Sequence, residues 1–177
     1  MILALIGAVA TLFVATGPLY AQTGETPATP AINSFSQWLR ANGFALADQE
    51  AAFFDADEQV QAIYTISLTN VDLLSRADMA QRTDEWRQAI IGELQRILAT
   101  DPNAAPNAPP SLQPLRDLSV SQRTHMQRAA RAWLDALQAG DPEWLARGGD
   151  EFRAGMQDLS SWQQELLARY PPPQAQP

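Results

Sequence analysis

The chain has 177 residues, 46% of them hydrophobic and 18% charged, with a formal net charge of −8, one histidine, no cysteine and arginine as its sole cationic residue type. Without cysteine there is no disulfide framework, thiol nucleophile or thiolate-held cluster, and one histidine excludes the multi-histidine zinc sites. An acidic balance also argues against nucleic acid as a partner, because phosphates attract a basic face.

Residues 1–21 (MILALIGAVATLFVATGPLYA) carry no charged side chain, and Pro18 breaks the apolar run shortly before the small residue Ala21. Apolar core, helix breaker and small residue follow one another as in a secretory signal peptide cleaved after Ala21. The alternative is a retained membrane anchor, since about 20 apolar residues just span a bilayer. No cysteine follows the run, so lipid attachment there is excluded. Residues 22–33 (QTGETPATPAIN) have the composition of a disordered linker.

From 34 to 170 the pattern predicts helix almost throughout. A short helix from Phe35 to Asn42 is expected to end at Gly43 as its C-terminal cap. The next is expected from Asp48 to about Ala77, with Phe53, Ala56, Val60, Ile63, Ser67, Val71 and Leu74 inward, and the β-branched string 65–69 (TISLT) is read as part of it. Thr83 is a candidate N-cap for a helix to Thr100, with Asp84 and Glu85 in its first turn and Trp86, Ile90, Leu94 and Ile97 on one face. One long helix over 48–99 is the rival reading. Four prolines make 101–110 a loop. A third long helix is expected over 112–139, with Leu115, Leu118, Gln122, Met126, Ala129, Trp133 and Leu137 inward.

Asp141-Pro142 opens the last helix as an N-cap followed by a tolerated first-turn proline. Leu145, Gly148, Phe152, Gly155, Leu159, Trp162 and Leu166 alternate steps of three and four, a heptad seam. Glycine inside a helix costs about 1 kcal/mol relative to alanine, so Trp86 or Trp133 is expected to pack over Gly148 and Gly155. Residues 171–177 (PPPQAQP) form a Pro-rich disordered tail. The fold expected is all-α, an antiparallel up-down four-helix bundle over 34–170 with a short extra N-terminal helix.

The string Gly148-Gly149-Asp150-Glu151-Phe152 resembles the signature of diguanylate cyclases. In that family the string lies on a β-hairpin, where the glycines admit phosphate and the acids serve metal binding. The likeness covers those residues alone. Here the string falls in a heptad-patterned helix whose seam already accounts for Gly148 and Phe152, so it is read as a chance match.

Asp48, Glu50, Asp55, Asp57 and Glu58 form an acidic segment, and no base occurs between Arg40 and Arg76. Asp55-Ala56-Asp57 resembles the opening of a calcium loop, but Val60 stands where an EF-hand needs glycine. Asp55, Asp57 and Glu58 are therefore weak metal-ligand candidates, and the segment alternatively suits a basic partner. Arg116, Arg123, Arg128 and Arg131 are expected on the polar side of the third long helix, opposite the Leu115/Gln122/Trp133 stripe.

His125 falls at the edge of that stripe, without a catalytic set evident in sequence. Trp38 and Trp144 lie near segment ends and are candidates for a partner surface. No catalytic residue and no cofactor are read from the sequence. The expectation is an exported, non-enzymatic binding or assembly module of the bacterial envelope or extracellular space. Its partner would be another envelope protein or a second copy, with membrane contact only if the N-terminal segment is retained. A small-ligand or divalent-cation binder, using the bundle interior or the 48–58 segment, is the alternative function.

Overall fold

The computed structural model describes residues 34–64, 84–104, 107–139 and 142–171, with no account of the side chains at 84–86, 142 and 144. The fold is all-α, and among the described residues there is no strand. The expected signal peptide, linker and tail beyond 171, the helical reading of 65–77 and the Thr83 and Asp141 caps lie outside these residues. So do the side chains of Trp86 and Trp144.

Five α-helices are described: α1 (Phe35–Ala41), α2 (Asp48–Ile63), α3 (Asp84–Ala99), α4 (Gln113–Ala139) and α5 (Pro142–Arg169), with a 3-10 turn Pro110–Leu112 leading into α4. α1 ends as expected. Gly43 takes a left-handed φ of 84°, its N–H donates to the Arg40 carbonyl, and that of Phe44 donates to the Leu39 carbonyl. This double closure brings Leu39 and Phe44 together in the core. α2 stops at Ile63, with Tyr64 as its C-cap, so it is shorter than the apolar periodicity suggests. The rival single helix over 48–99 is ended by the same cap.

α4 and α5, with 27 and 28 residues, each extend about 40 Å and form an antiparallel hairpin. Trp133 meets Leu145 and Phe152 near one end, and Leu115 shares a cluster with Trp162 and Leu166 near the other. The seam residues Gly148, Gly155, Trp162 and Leu166 are all buried. A Cβ on Gly148 would overlap the indole of Trp133, which is the packing expected there. Gly155 instead faces helix α4 itself. A Cβ there would lie 3.3 Å from both the Gln122 carbonyl oxygen and the His125 Cβ, so this glycine lets two backbones approach.

The remaining helices cover different stretches of the hairpin. α3 runs antiparallel to the second half of α4: Arg87 donates to the Leu137 carbonyl, while Gln127 donates to the Ile97 and Thr100 carbonyls. Ile90, Leu94 and Ile97 join Met126, Ala129, Ala130, Trp133, Leu134 and Leu137 in one apolar cluster. α2 runs parallel to the first half of α4, and α1 packs on α2. Phe35, Leu39, Phe53, Phe54, Leu112, Leu115, Trp162, Leu166 and Tyr170 form a second, aromatic-rich cluster. The two clusters are separate, and the buried residues between them along α2 and α4 are polar.

Candidate functional site

That intervening layer contains Asp57 and Gln61 from α2 and Ser119, Gln122 and Arg123 from α4, all buried. Arg123 is 0% exposed and Asp57 6% exposed. The guanidinium pairs with the Asp57 carboxylate. It also donates to the Asp57 carbonyl at 3.2 Å, to Gln61 Oε1 at 3.2 Å and to the Pro102 carbonyl at 3.4 Å. Ser119 Oγ donates to the second carboxylate oxygen of Asp57 at 3.0 Å. A buried charge is tolerated only when paired and hydrogen-bonded, and here both partners meet that condition. The sequence expectation for Arg123 is overturned. Its side chain lies in the core rather than on a solvated face, because α2 supplies the acid and the carbonyl that satisfy it. Arg128 and Arg131 are exposed as expected, and Arg116 is half-buried.

The buried face of α2 is consequently turned from the one the apolar pattern marks. Phe54, Asp57, Gln61 and Tyr64 are buried, whereas Ala56, Val60 and Ile63 are only partly so. A cavity of about 10 Å³ adjoins this layer, lined by Asp57, Gln61, Leu118, Ser119, Gln122, Leu159 and Trp162.

The other acids of the 48–58 segment are engaged with neighbouring backbone and side-chain donors. Asp55 accepts from the Ser36 N–H at 3.1 Å and its hydroxyl at 2.8 Å, and Glu58 accepts from the Phe35 N–H at 2.9 Å. With Ser34 as N-cap, these carboxylates satisfy the exposed donors at the start of α1 and oppose its dipole. Glu50 accepts from the Ala47 N–H and from the Ser111 hydroxyl, each at 3.1 Å. Asp48 pairs with Arg40 at the surface. Asp55, Asp57 and Glu58 thus point to three different partners. Among the described residues, no group of three or more His, Asp or Glu is arranged to hold a metal ion.

His125 has two carboxylate neighbours on α5 that the sequence does not announce. Its Nδ1 lies 2.7 Å from Glu151 Oε2 and its Nε2 lies 3.9 Å from Asp158 Oδ2. Glu151 belongs to the GGDEF string, whose residues are all helical in α5. The imidazole is therefore bracketed by acids across the hairpin crease, next to the close approach at Gly155. None of the three residues lines either cavity described in this section.

Trp38 is half-buried and stacks between Phe35 and Phe44, with ring centroids 5.9 and 6.4 Å away. At the junction of α2 and α3, the Tyr64 hydroxyl donates to the Thr100 carbonyl at 2.6 Å. Burial pushes the phenol up to about 12; nearby Arg123 lowers it and Asp101 raises it. Burial also raises Tyr170, reinforced by neighbouring Glu50.

A larger opening of about 440 Å³ lies between α2 and the proline loop, lined by Gln49, Ala52, Phe53, Ala56, Asn107, Ala108 and Pro109. Four of these recur at helical spacing along α2, with two small alanines beside the Phe53 ring, and the loop supplies the opposite wall. Sequence reasoning did not single out this groove, since it depends on where the proline loop returns. No helix among the described residues is long and apolar enough to cross a membrane. No protein-family model, curated protein or solved structure matches the chain.

Proposed function

We propose that this chain is an exported, non-enzymatic helical module that binds an extended, cationic segment of another envelope protein. The observation that carries the reading is the groove between α2 and the proline loop, about 440 Å³ in volume with a Phe53 wall and polar ends at Gln49 and Asn107. A groove with small alanines, Ala52 exposed and Ala56 partly so, admits an extended backbone closely over the buried Phe53 ring. Charge supports a basic occupant. Eleven acids against five arginines leave −6 in residues 22–100, which supply the α2 wall, whereas nine against seven leave −2 in 101–177. Complementary charge speeds association and rejects acidic partners.

The reading takes residues 1–21 as a cleaved signal peptide and 34–170 as an up-down four-helix arrangement founded on the α4–α5 hairpin. The antiparallel courses of α3 and α5 against α4, and the parallel course of α2, support the alternating order, with α2 and α3 placed on successive stretches of the hairpin. Among the described residues, the cavity beside the polar layer measures about 10 Å³, which leaves the alternative, a small-ligand binder, little room there.

Two measurements test the proposal. N-terminal sequencing of chain recovered from the exported fraction is expected to begin at Gln22; recovery only in the cytoplasm with Met1 intact overturns export. A photo-crosslinking residue at Ala52 is expected to yield an adduct with one envelope protein through a basic segment. The same probe at exposed Arg131 serves as control, and equal adducts at both positions overturn the groove as the binding site.

A further inference from the structure

We infer that the polar layer contains a binding site for a single internal water molecule, held by Gln122 and Asp57 between α2, α4 and α5. Gln122 is only 5% exposed, and its Oε1 is buried with no hydrogen-bond partner in the protein. A buried acceptor left in that state loses the full free energy of its hydration, so native interiors provide such groups with a partner or an ordered water. Gln122 lines the cavity of about 10 Å³, together with Asp57, Ser119 and Gln61. That volume is about one water-sized sphere, near the lower limit for holding a water, and the polar lining gives it several partners.

Charge and chemistry select the occupant. The Arg123 guanidinium already pairs with Asp57, so a cation placed here would meet a fixed positive charge. The Asp57 carboxylate repels an anion. An apolar guest would leave Gln122 Oε1 unsatisfied. A neutral molecule with two protons to give fits both acceptors: one proton for Gln122 Oε1, the other for the Asp57 carboxylate, whose Oδ2 already accepts from Ser119. Leu118, Leu159 and Trp162 supply the apolar remainder of the wall, which slows exchange with bulk solvent. The site therefore ties α5, through its wall, to a polar layer that otherwise joins α2 and α4.

The test is water–protein cross-relaxation by NMR on the folded chain, supported by water-oxygen relaxation dispersion to count long-lived waters. Wild-type protein is expected to show a cross-peak from water to the methyl protons of Leu118 and Leu159, which line the cavity, with the sign of a long-lived site. Gln122→Met, similar in length but lacking the amide acceptor, is expected to lose that peak and one long-lived water. Absence of the peak in the wild type overturns the inference, as does its persistence in folded Gln122→Met. Should Gln122→Met fail to fold, the wild-type spectrum decides alone.

Discussion

At Gly148 the backbone of α5 lies against the Trp133 indole, leaving no room for a Cβ, whereas a Cβ on Gly149 would meet no atom within 4 Å. The two neighbours should therefore respond oppositely to the same substitution. Gly148→Ala gains helix propensity but forces the indole to move, and overpacking costs about 1–3 kcal/mol; a net loss of about 1–2 kcal/mol is expected. Gly149→Ala relieves only the entropic penalty and is expected to stabilise by about 0.5–1 kcal/mol. Urea denaturation of the two variants checks the pair, and destabilisation of similar size in both contradicts the packing described. Tyr64 gives a pH-dependent counterpart. Its phenol ionises near 10 in the unfolded chain and is pushed up to about 12 in the fold, so the folded state retains the proton longer. The stability associated with the neutral phenol is complete below pH 10 and is lost as pH rises from about 10 to about 12. Tyr64→Phe is expected to flatten this alkaline limb in denaturation curves, leaving the part due to Tyr170. An unchanged limb would remove Tyr64 from the account.

α1 shows how a seven-residue helix, too short to persist alone, is held by its neighbour. Asp55 and Glu58 on α2 accept the first backbone donors of α1, and Leu39 and Phe44 bury its other end. Replacing both acids with alanine is expected to cost about 1–3 kcal/mol, from about 0.5–2 for a lost cap and the second backbone bond. Hydrogen exchange in 35–41 should rise faster than in α4, while uniform acceleration across all helices would contradict a local role. These same acids show where sequence reading stops. The seams of α4 and α5 are legible because they are apolar or small at regular spacing, and even the Gly148–Trp133 contact follows from that register. Helix α2 is only half legible. Its buried face contains Asp57 and Gln61, which a hydrophobic pattern assigns to solvent, so the expected stripe holds at Phe53 but is displaced by about one residue at Ala56, Val60 and Ile63, which are only partly buried. The cue available in sequence was the spacing of Asp57, Gln61 and Tyr64 on one face; nothing local identified Arg123 as their partner, 62 residues beyond Gln61. His125 lies at a stripe edge, as its register implies, but the carboxylates that bracket it belong to another helix.

Over the whole molecule, an α4–α5 hairpin about 40 Å long carries one apolar cluster with α3 and another with α1 and α2. The Asp57–Arg123 layer lies between them and fastens α2 to α4 and, through the Pro102 carbonyl, to the loop after α3. The groove proposed for binding is built from this same α2 and the proline loop after α3, so the layer also positions the groove walls. A double-mutant cycle with Asp57→Leu, Arg123→Met and the combined variant, read by urea denaturation, tests that arrangement most directly. Each single change leaves one charge or its partners stranded in the interior and is expected to cost about 3–5 kcal/mol, whereas the combined apolar replacement should recover most of the loss. Single changes that each stay within about 0.5 kcal/mol of wild type and add without coupling would show that Asp57 and Arg123 are solvated and independent, contradicting the buried layer.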